Sequence, residues 1–354
     1  MNGMSTLLQV KTVVKINWCY PLPIFQLIGF FIVFIAITSP DAQEVKRVGT
    51  HEFAFLSLPG YARPAGLAGA YTTLAEGIDA LTSNPAGLAN QGRKKEVSFG
   101  FKKNVLDINT GEISYPIKAK NGIWYAASIN YSHFGTIQEI NEKATFTGKE
   151  FTPSNHTLSL TAAKELNNKI RTGVTVKLPT EYLGDFEGTK LAVGWAIDAG
   201  IQYQPNTKRF SFGAAVLNAG RKELAHIENG EKGNLLPLEL RTGMIVNSLR
   251  RSNTLLAVDI NVPYHNHPYL SGGFEYGFTR TFIARLGSRI NIPELKTYFR
   301  QIALNRNIEE TAGKNVMKLA AGFTVKTKRI GIDYAAQYWH LLGVVHWVTL
   351  KWRM

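Results

Sequence analysis

GIWYAASINYS, residues 122–132, alternates from end to end. In an extended chain Ile123, Tyr125, Ala127, Ile129 and Tyr131 fall on one side, and Trp124, Ala126, Ser128, Asn130 and Ser132 on the other. Successive side chains of a strand point to opposite faces. One face here is therefore apolar, and the other is small and polar. RIGIDYAAQYW (329–339) repeats the pattern, with Ile330, Ile332, Tyr334, Ala336 and Tyr338 opposing Gly331, Asp333, Ala335 and Gln337. In LLAVDINV (255–262), Leu256, Val258, Ile260 and Val262 oppose Ala257, Asp259 and Asn261.

Fourteen such segments follow one another, starting near Val97, Asn109, Gly122, His156, Lys169, Lys190, Lys208, Leu236, Thr254, Pro268, Phe282, Val316, Arg329 and Gly343. Many are 9–12 residues long. A tilted strand needs roughly 9–11 residues to cross a bilayer, apolar outside and polar inside. The linkers after even-numbered segments are short: 118–122, 167–169, 205–208, 249–253, 279–281 and 326–329. Several after odd-numbered ones are long: 134–155, 181–189, 220–235 and 291–315. Short turns on one side and long loops on the other mark an outer-membrane barrel with both ends in the periplasm. The expectation is an all-β fold: a transmembrane, antiparallel outer-membrane barrel of about 14 strands over residues 94–354.

The chain of 354 residues carries a net charge of +14. The short turns hold Lys118, Lys120, Lys169, Lys208, Arg250, Arg251, Arg280, Lys326, Lys328 and Arg329, with hardly any acid. Such a rim suits phospholipid headgroups or an acidic partner, though Lys and Arg also snorkel and solubilise turns, and the barrel as a whole would meet outer-membrane lipid, lipopolysaccharide included. Export and the lack of a basic-aromatic motif argue against nucleic acid as a partner. Residues 1–43 read as a secretory signal. Lys11 and Lys15 precede an apolar run of 14 residues (24–37) and the small-residue stretch TSPDAQ (38–43). That run is shorter than the roughly 20 residues of a membrane-spanning helix. Cys19, the one cysteine, would leave with the signal.

Between signal and barrel lies GLAGAYTTLAEGIDALTSNPAGLA (66–89), rich in Gly and Ala and closed by an Asn-Pro-Ala turn. It reads as a compact plug within residues 44–93. Asp198, Glu239, Arg241, Asp259, Glu275, Arg285, Arg289, Lys318 and Asp333 fall on inward faces. Inside a barrel such groups must be paired or wet. The expected arrangement is a structural network of ion pairs and water, with a polar substrate path as the sharper alternative.

No Gly-x-Ser-x-Gly elbow, phosphate-cradling glycine run or His/Cys/carboxylate cluster at metal spacing occurs. His265 and His267 form an i, i+2 pair in a turn, and His156, His340 and His346 have no evident partner. The chain is therefore read as a non-enzyme, with no cofactor and no metal.

SLPGYARPAGLAGAYTTLAEGIDALTSNPAGLA (57–89) resembles the N-terminal segment of the PorV/PorQ family, relatives of the FadL-type fatty-acid channels. Ala62-Arg63 leads into Gly66-Leu67-Ala68-Gly69-Ala70, and Asn84-Pro85-Ala86 closes the segment. AIDAGIQYQP (196–205) and FSFGAAVLNAG (210–220) look like the family's Asp-x-Gly and Asn-x-Gly strand pair. The likeness runs through NYSHFGTIQ (130–138), LPLELRTGM (236–244) and the last strand, which ends in Arg353-Met354 rather than an aromatic residue.

The resemblance implies a hatch folded into the lumen. Gly66 and Gly69 would let backbones pack closely, and Arg63 would pair with a carboxylate such as Asp198 or Glu239. Asn84 and Pro85 would make the turn into the first strand. It also implies a docking, anchor or shuttle component of a type IX-like secretion and surface-attachment system, in the outer membrane of a Bacteroidetes-like Gram-negative bacterium. Secreted or surface-attachment proteins would then bind the loops 134–155, 220–235 and 291–315. The alternative is a FadL-like channel for hydrophobic small molecules, with Phe53, Phe55, Leu56 and Leu58 along an apolar pocket and a lateral gap kinked at Gly135 or Pro179.

Overall fold

The computed structural model describes residues 53–91, 96–104, 107–141, 143, 145–184, 191–206, 209–224, 235–247, 253–296, 317–339 and 343–354. The signal expected over 1–43 and the first residues of the hatch lie outside the described residues. So do Lys208, Arg250, Arg251 and His340, and most of the loops 220–235 and 291–315.

Fourteen of the strands close into one antiparallel barrel. In chain order they are β1 (Glu96–Lys103), β2 (Asn109–Lys118), β3 (Trp124–His133), β6 (Ser154–Asn167), β7 (Ile170–Tyr182), β8 (Ala192–Tyr203) and β9 (Phe210–Leu224). After these come β10 (Glu239–Asn247), β11 (Thr254–Pro263), β12 (Tyr269–Gly277), β13 (Phe282–Asn291), β14 (Met317–Lys326), β15 (Ile330–Tyr338) and β16 (Val344–Arg353). The loop after β3 carries a hairpin of its own, β4 (Ile137–Ile140) with β5 (Phe146–Phe151).

β16 pairs with β1 from Arg353↔Glu96 to His346↔Lys103, which closes the sheet. Arg353 Nε lies 2.6 Å from Glu96 Oε2 across this seam. The unusual C-terminal arginine thus has a partner on the first strand.

Alternation decides which way each strand faces. In β3, Trp124, Ala126 and Ser128 are buried while Tyr125, Ile129 and Tyr131 are exposed. Every barrel strand sets at least one large apolar side chain on the exposed outer face, among them Phe99, Ile129, Leu160, Leu256, Leu286 and Leu350. Water would make such a band a severe liability; hydrocarbon is its proper solvent.

The inner faces close on residues 53–91. This stretch holds one short helix, α1 (Ala62–Gly66), and 3-10 turns at Ala54–Ser57, Gly77–Ala80 and Pro85–Asn90. So irregular a segment leaves many backbone groups unpaired, and buried ones must find partners. The wall supplies them. Asp259 accepts from the amides of Tyr71 (2.8 Å) and Thr72 (2.7 Å). Gln202 Nε2 donates to the carbonyls of Thr73 (3.0 Å) and Ala75 (2.8 Å). Gln337 Nε2 donates to Ala65 O (2.7 Å), Ser271 Oγ to Ala68 O (2.9 Å) and Trp347 Nε1 to Pro59 O (3.1 Å). The polar inner faces thus serve as hydrogen-bonding lining for the hatch.

Candidate functional site

The hatch sits between two cavities. The first, about 690 Å³, opens toward the long-loop end. The second, about 380 Å³, lies at the short-turn end.

The hatch residues meet the wall as follows. Gly69 has φ +88°, a left-handed conformation that favours glycine. A Cβ on Gly66 would rest 3.5 Å from Ala335 Cβ, so α1 lies close against β14 and β15. Asn84 caps the last 3-10 turn, accepting from Ala86 N at 3.1 Å with Pro85 first in the turn. Its amide nitrogen donates to Thr72 O (2.9 Å) and to Ile201 O of β8 (3.1 Å). Side chains at Gly173 or Gly200 would collide with Pro85 and Asn84 respectively, at 2.5 and 1.9 Å. The Asn-Pro-Ala turn is therefore wedged against β7 and β8 rather than marking the entry to β1.

Arg63 does not pair with Asp198 or Glu239. Its Nη2 meets Glu275 Oε2 at 2.9 Å, and its Nη1 meets Glu76 Oε2 at 3.1 Å. Burial disfavours the Arg63 charge, yet the Glu275 carboxylate outweighs it and holds the guanidinium well above its usual range. Arg285 touches Glu275 as well and reaches Asp333 at 3.3 Å. Lys351 bridges Asp333 (2.9 Å) to Asp79 of the hatch. Glu275, Arg285 and Asp333 thus join Arg63 in one chain of alternating charge along the smaller cavity. Burial pushes the Asp79 carboxyl up to about 6, against the pull of Lys351.

The other lumen residues stand apart. Asp198 is held by Lys177 Nζ (2.7 Å) and Asn218 N (2.7 Å). Asn218, at φ +57°, sits where the β8–β9 register shifts. Asp259 binds hatch backbone and, among the described residues, forms no ion pair. Glu239 lies in the larger cavity with Arg241 (2.7 Å) and Tyr269 Oη (2.6 Å). Lys177, Asn218, Asp79 and Lys351 were not anticipated. Lys177 and Lys351 share the inward parity of their strands, a signal the sequence did contain.

Of the hydrophobics expected along a pocket, only Leu58 lines the larger cavity. Phe53, with Phe55 and Leu56, packs against Ala192, Ala196 and Leu236 of the wall. Gly135 falls in the loop after β3, at φ +76°, and β3 is paired along its whole length on both sides. Leu178 and Pro179 are missing from the β7–β8 register. His156 stacks on Tyr131, and His346 Nδ1 lies 2.8 Å from Tyr334 Oη. Among the described residues no group of three or more His, Cys, Asp or Glu is placed to hold a metal.

No protein-family model matches the sequence, and no curated protein matches it. Solved structures do match. The Pseudomonas putida toluene transporter TodX superposes with a TM-score of 0.54 at 13% identity, over 84% of this chain and 97% of that one. The Ralstonia pickettii toluene transporter TbuX gives 0.55 at 14%, over 85% and 100%. A TodX deltaS2S3 mutant, a monoaromatic hydrocarbon channel, gives 0.59 at 13%, over 84% and 99%.

The fold is a FadL-like barrel. At such identities the likeness is one of fold. The matched chains are toluene transporters and a monoaromatic hydrocarbon channel. The comparison corrects the docking role in secretion expected from the sequence. The hydrocarbon channels and toluene transporters named here match the alternative, a channel for hydrophobic small molecules, better than the docking role.

Proposed function

We propose that the chain is a non-catalytic outer-membrane channel for small hydrophobic molecules. One observation carries this reading: the hatch divides the lumen into an outer cavity of about 690 Å³ and an inner one of about 380 Å³. The outer cavity offers Leu58, Pro59, Leu238 and Trp339 to an apolar body. Pockets for small molecules are typically about 300–1,000 Å³ and mostly apolar, with a few polar groups that orient the ligand. The toluene transporters share the fold, and toluene is taken as the type of cargo.

In this account the short turns face the periplasm, and the basic rim of Lys118, Lys169, Arg280 and Lys328 meets outer-membrane lipid. Arg63, Gly66, Gly69, Asn84 and Pro85 seat the hatch. Asp198, Asp259, Glu275, Arg285 and Asp333 hold it, while Glu239 and Arg241 face the ligand. The domain plan is a leader over 1–43, a hatch over 44–93 and a barrel from 94 onward. The likeness of 57–89 to the PorV/PorQ segment is taken as kinship in the hatch, with a Bacteroidetes-like source.

The test is uptake of labelled toluene by intact Gram-negative cells that carry the protein in their outer membrane. Expression should raise the initial rate severalfold over vector-only cells. An unchanged rate, with folded protein in the membrane, would refute the reading.

A further inference from the structure

The Asp259 carboxylate is satisfied on one side only. Its Oδ2 accepts the amides of Tyr71 and Thr72, while Oδ1 is buried with no hydrogen-bond partner among the described residues. A buried carboxylate oxygen that has given up water without gaining a partner is costly. Arg241 of the neighbouring strand acts on this carboxylate from beyond ion-pair distance, and it is committed to Glu239 at 2.7 Å.

A second oxygen borders the same place. Gly243 of β10 stands directly opposite Asp259. A Cβ on Gly243 would lie 1.9 Å from Asp259 Oδ1 and 3.1 Å from Thr73 Oγ1. The spot beside this glycine is thus flanked by one oxygen of the wall and one of the hatch. Thr73 Oγ1 is itself buried and has no hydrogen-bond partner among the described residues. The same holds for both polar atoms of Asn261, the next inward side chain of β11, roughly 7 Å along the strand. The Thr72 side chain also acts on the carboxylate.

We propose that this spot is a sodium site that ties the hatch to the wall. Asp259 Oδ1 and Thr73 Oγ1 are its ligands, and Asn261 Oδ1 reaches it from the next inward position. Carboxylate, hydroxyl and amide oxygens are the donors that hard cations take. Calcium binds about 6–8 such oxygens and tightens with the number of charged ones. One carboxylate among neutral oxygens matches a single positive charge. Because one ligand stands on β11 and another on the hatch, the ion favours the seated hatch over a displaced one by mass action. The inference does not depend on what the barrel carries.

The test follows protease cleavage of the hatch in the full-length protein, held in a neutral detergent. Sodium, potassium and N-methylglucamine chlorides are compared at equal ionic strength, the last cation being too large to enter. Urea is raised until the wild-type hatch is cut within minutes in N-methylglucamine chloride. Cleavage should be about fivefold slower in sodium, with potassium protecting less. Thr73→Val keeps the shape of the side chain and removes its oxygen, so it should lose the sodium effect. Thr73→Ser, which restores a hydroxyl, should keep it. Heat-modified gel mobility checks that each variant barrel is folded.

Equal cleavage in the three chlorides would overturn the proposal and leave ordered water as the partner of these oxygens. So would sodium protection that persists in Thr73→Val, or that vanishes equally in Thr73→Ser, since packing alone would then explain it. Protection by dilute calcium chloride but not by sodium would overturn the choice of a monovalent ion.

Discussion

Asp259 shows how much one side chain can hold. It is fully buried, and its Oδ2 accepts two hatch amides. Hydrogen bonds to a charged group contribute about 1.5–3 kcal/mol each. Asp259→Ala should therefore cost several kcal/mol and expose the hatch to protease at Tyr71 while leaving the barrel folded, as shown by limited proteolysis followed by peptide mapping. Arg63→Gln should be milder, about 1–3 kcal/mol, because Glu275 loses one buried partner and keeps Arg285. A urea-unfolding midpoint in detergent would register it.

Asp79 adds a pH dependence. Its carboxyl is raised to about 6 in the folded protein against an ordinary Asp near ~3.9, so the folded state binds the proton more tightly. The stabilisation from that proton is complete below ~3.9 and is lost as pH rises through about 6. Relative to Asp79→Asn, the wild-type protein should thus gain roughly 2–3 kcal/mol on going from pH 7 to pH 4. A flat difference between the two unfolding curves would contradict this.

At the scale of elements, the barrel strands were legible because a polar lumen and an apolar exterior impose period two on each of them. The start read at Gly122 becomes Trp124, and that at Pro268 becomes Tyr269. β10 begins at Glu239 rather than Leu236, because Pro237 has no N–H for the ladder. The β4–β5 hairpin was not legible: its residues are mostly exposed on both faces, so no alternation marks it.

The inward charges could be assigned to a face by counting, but not to partners. Arg63 and Glu275 lie 212 positions apart, and their meeting depends on where the hatch docks. The Asn-Pro-Ala turn likewise says that the chain bends, not which strands it bends against. Gly200→Ala tests that docking. Its Cβ would land 1.9 Å from Asn84 Oδ1, and an overpacked site typically costs about 1–3 kcal/mol. The hatch of this variant should be cleaved faster by protease than that of Gly111→Ala, where a Cβ meets nothing within 4 Å.

For the whole molecule, the apolar outer band, the closed seam and the plugged lumen describe a membrane barrel closed by its hatch, and the proposed channel requires a path past that hatch. Gly66 and Ala335 offer a direct lock on that hatch. Their Cβ positions are 3.5 Å apart, within the range for a disulfide of about 3.5–4.5 Å, and Cys19 is the chain's one native cysteine. The decisive measurement is toluene uptake by cells carrying G66C/A335C, before and after oxidation and again after reduction. The account predicts rapid uptake in the reduced form, loss on oxidation and recovery on reduction. Uptake no faster than in vector-only cells, in either redox state, would contradict it.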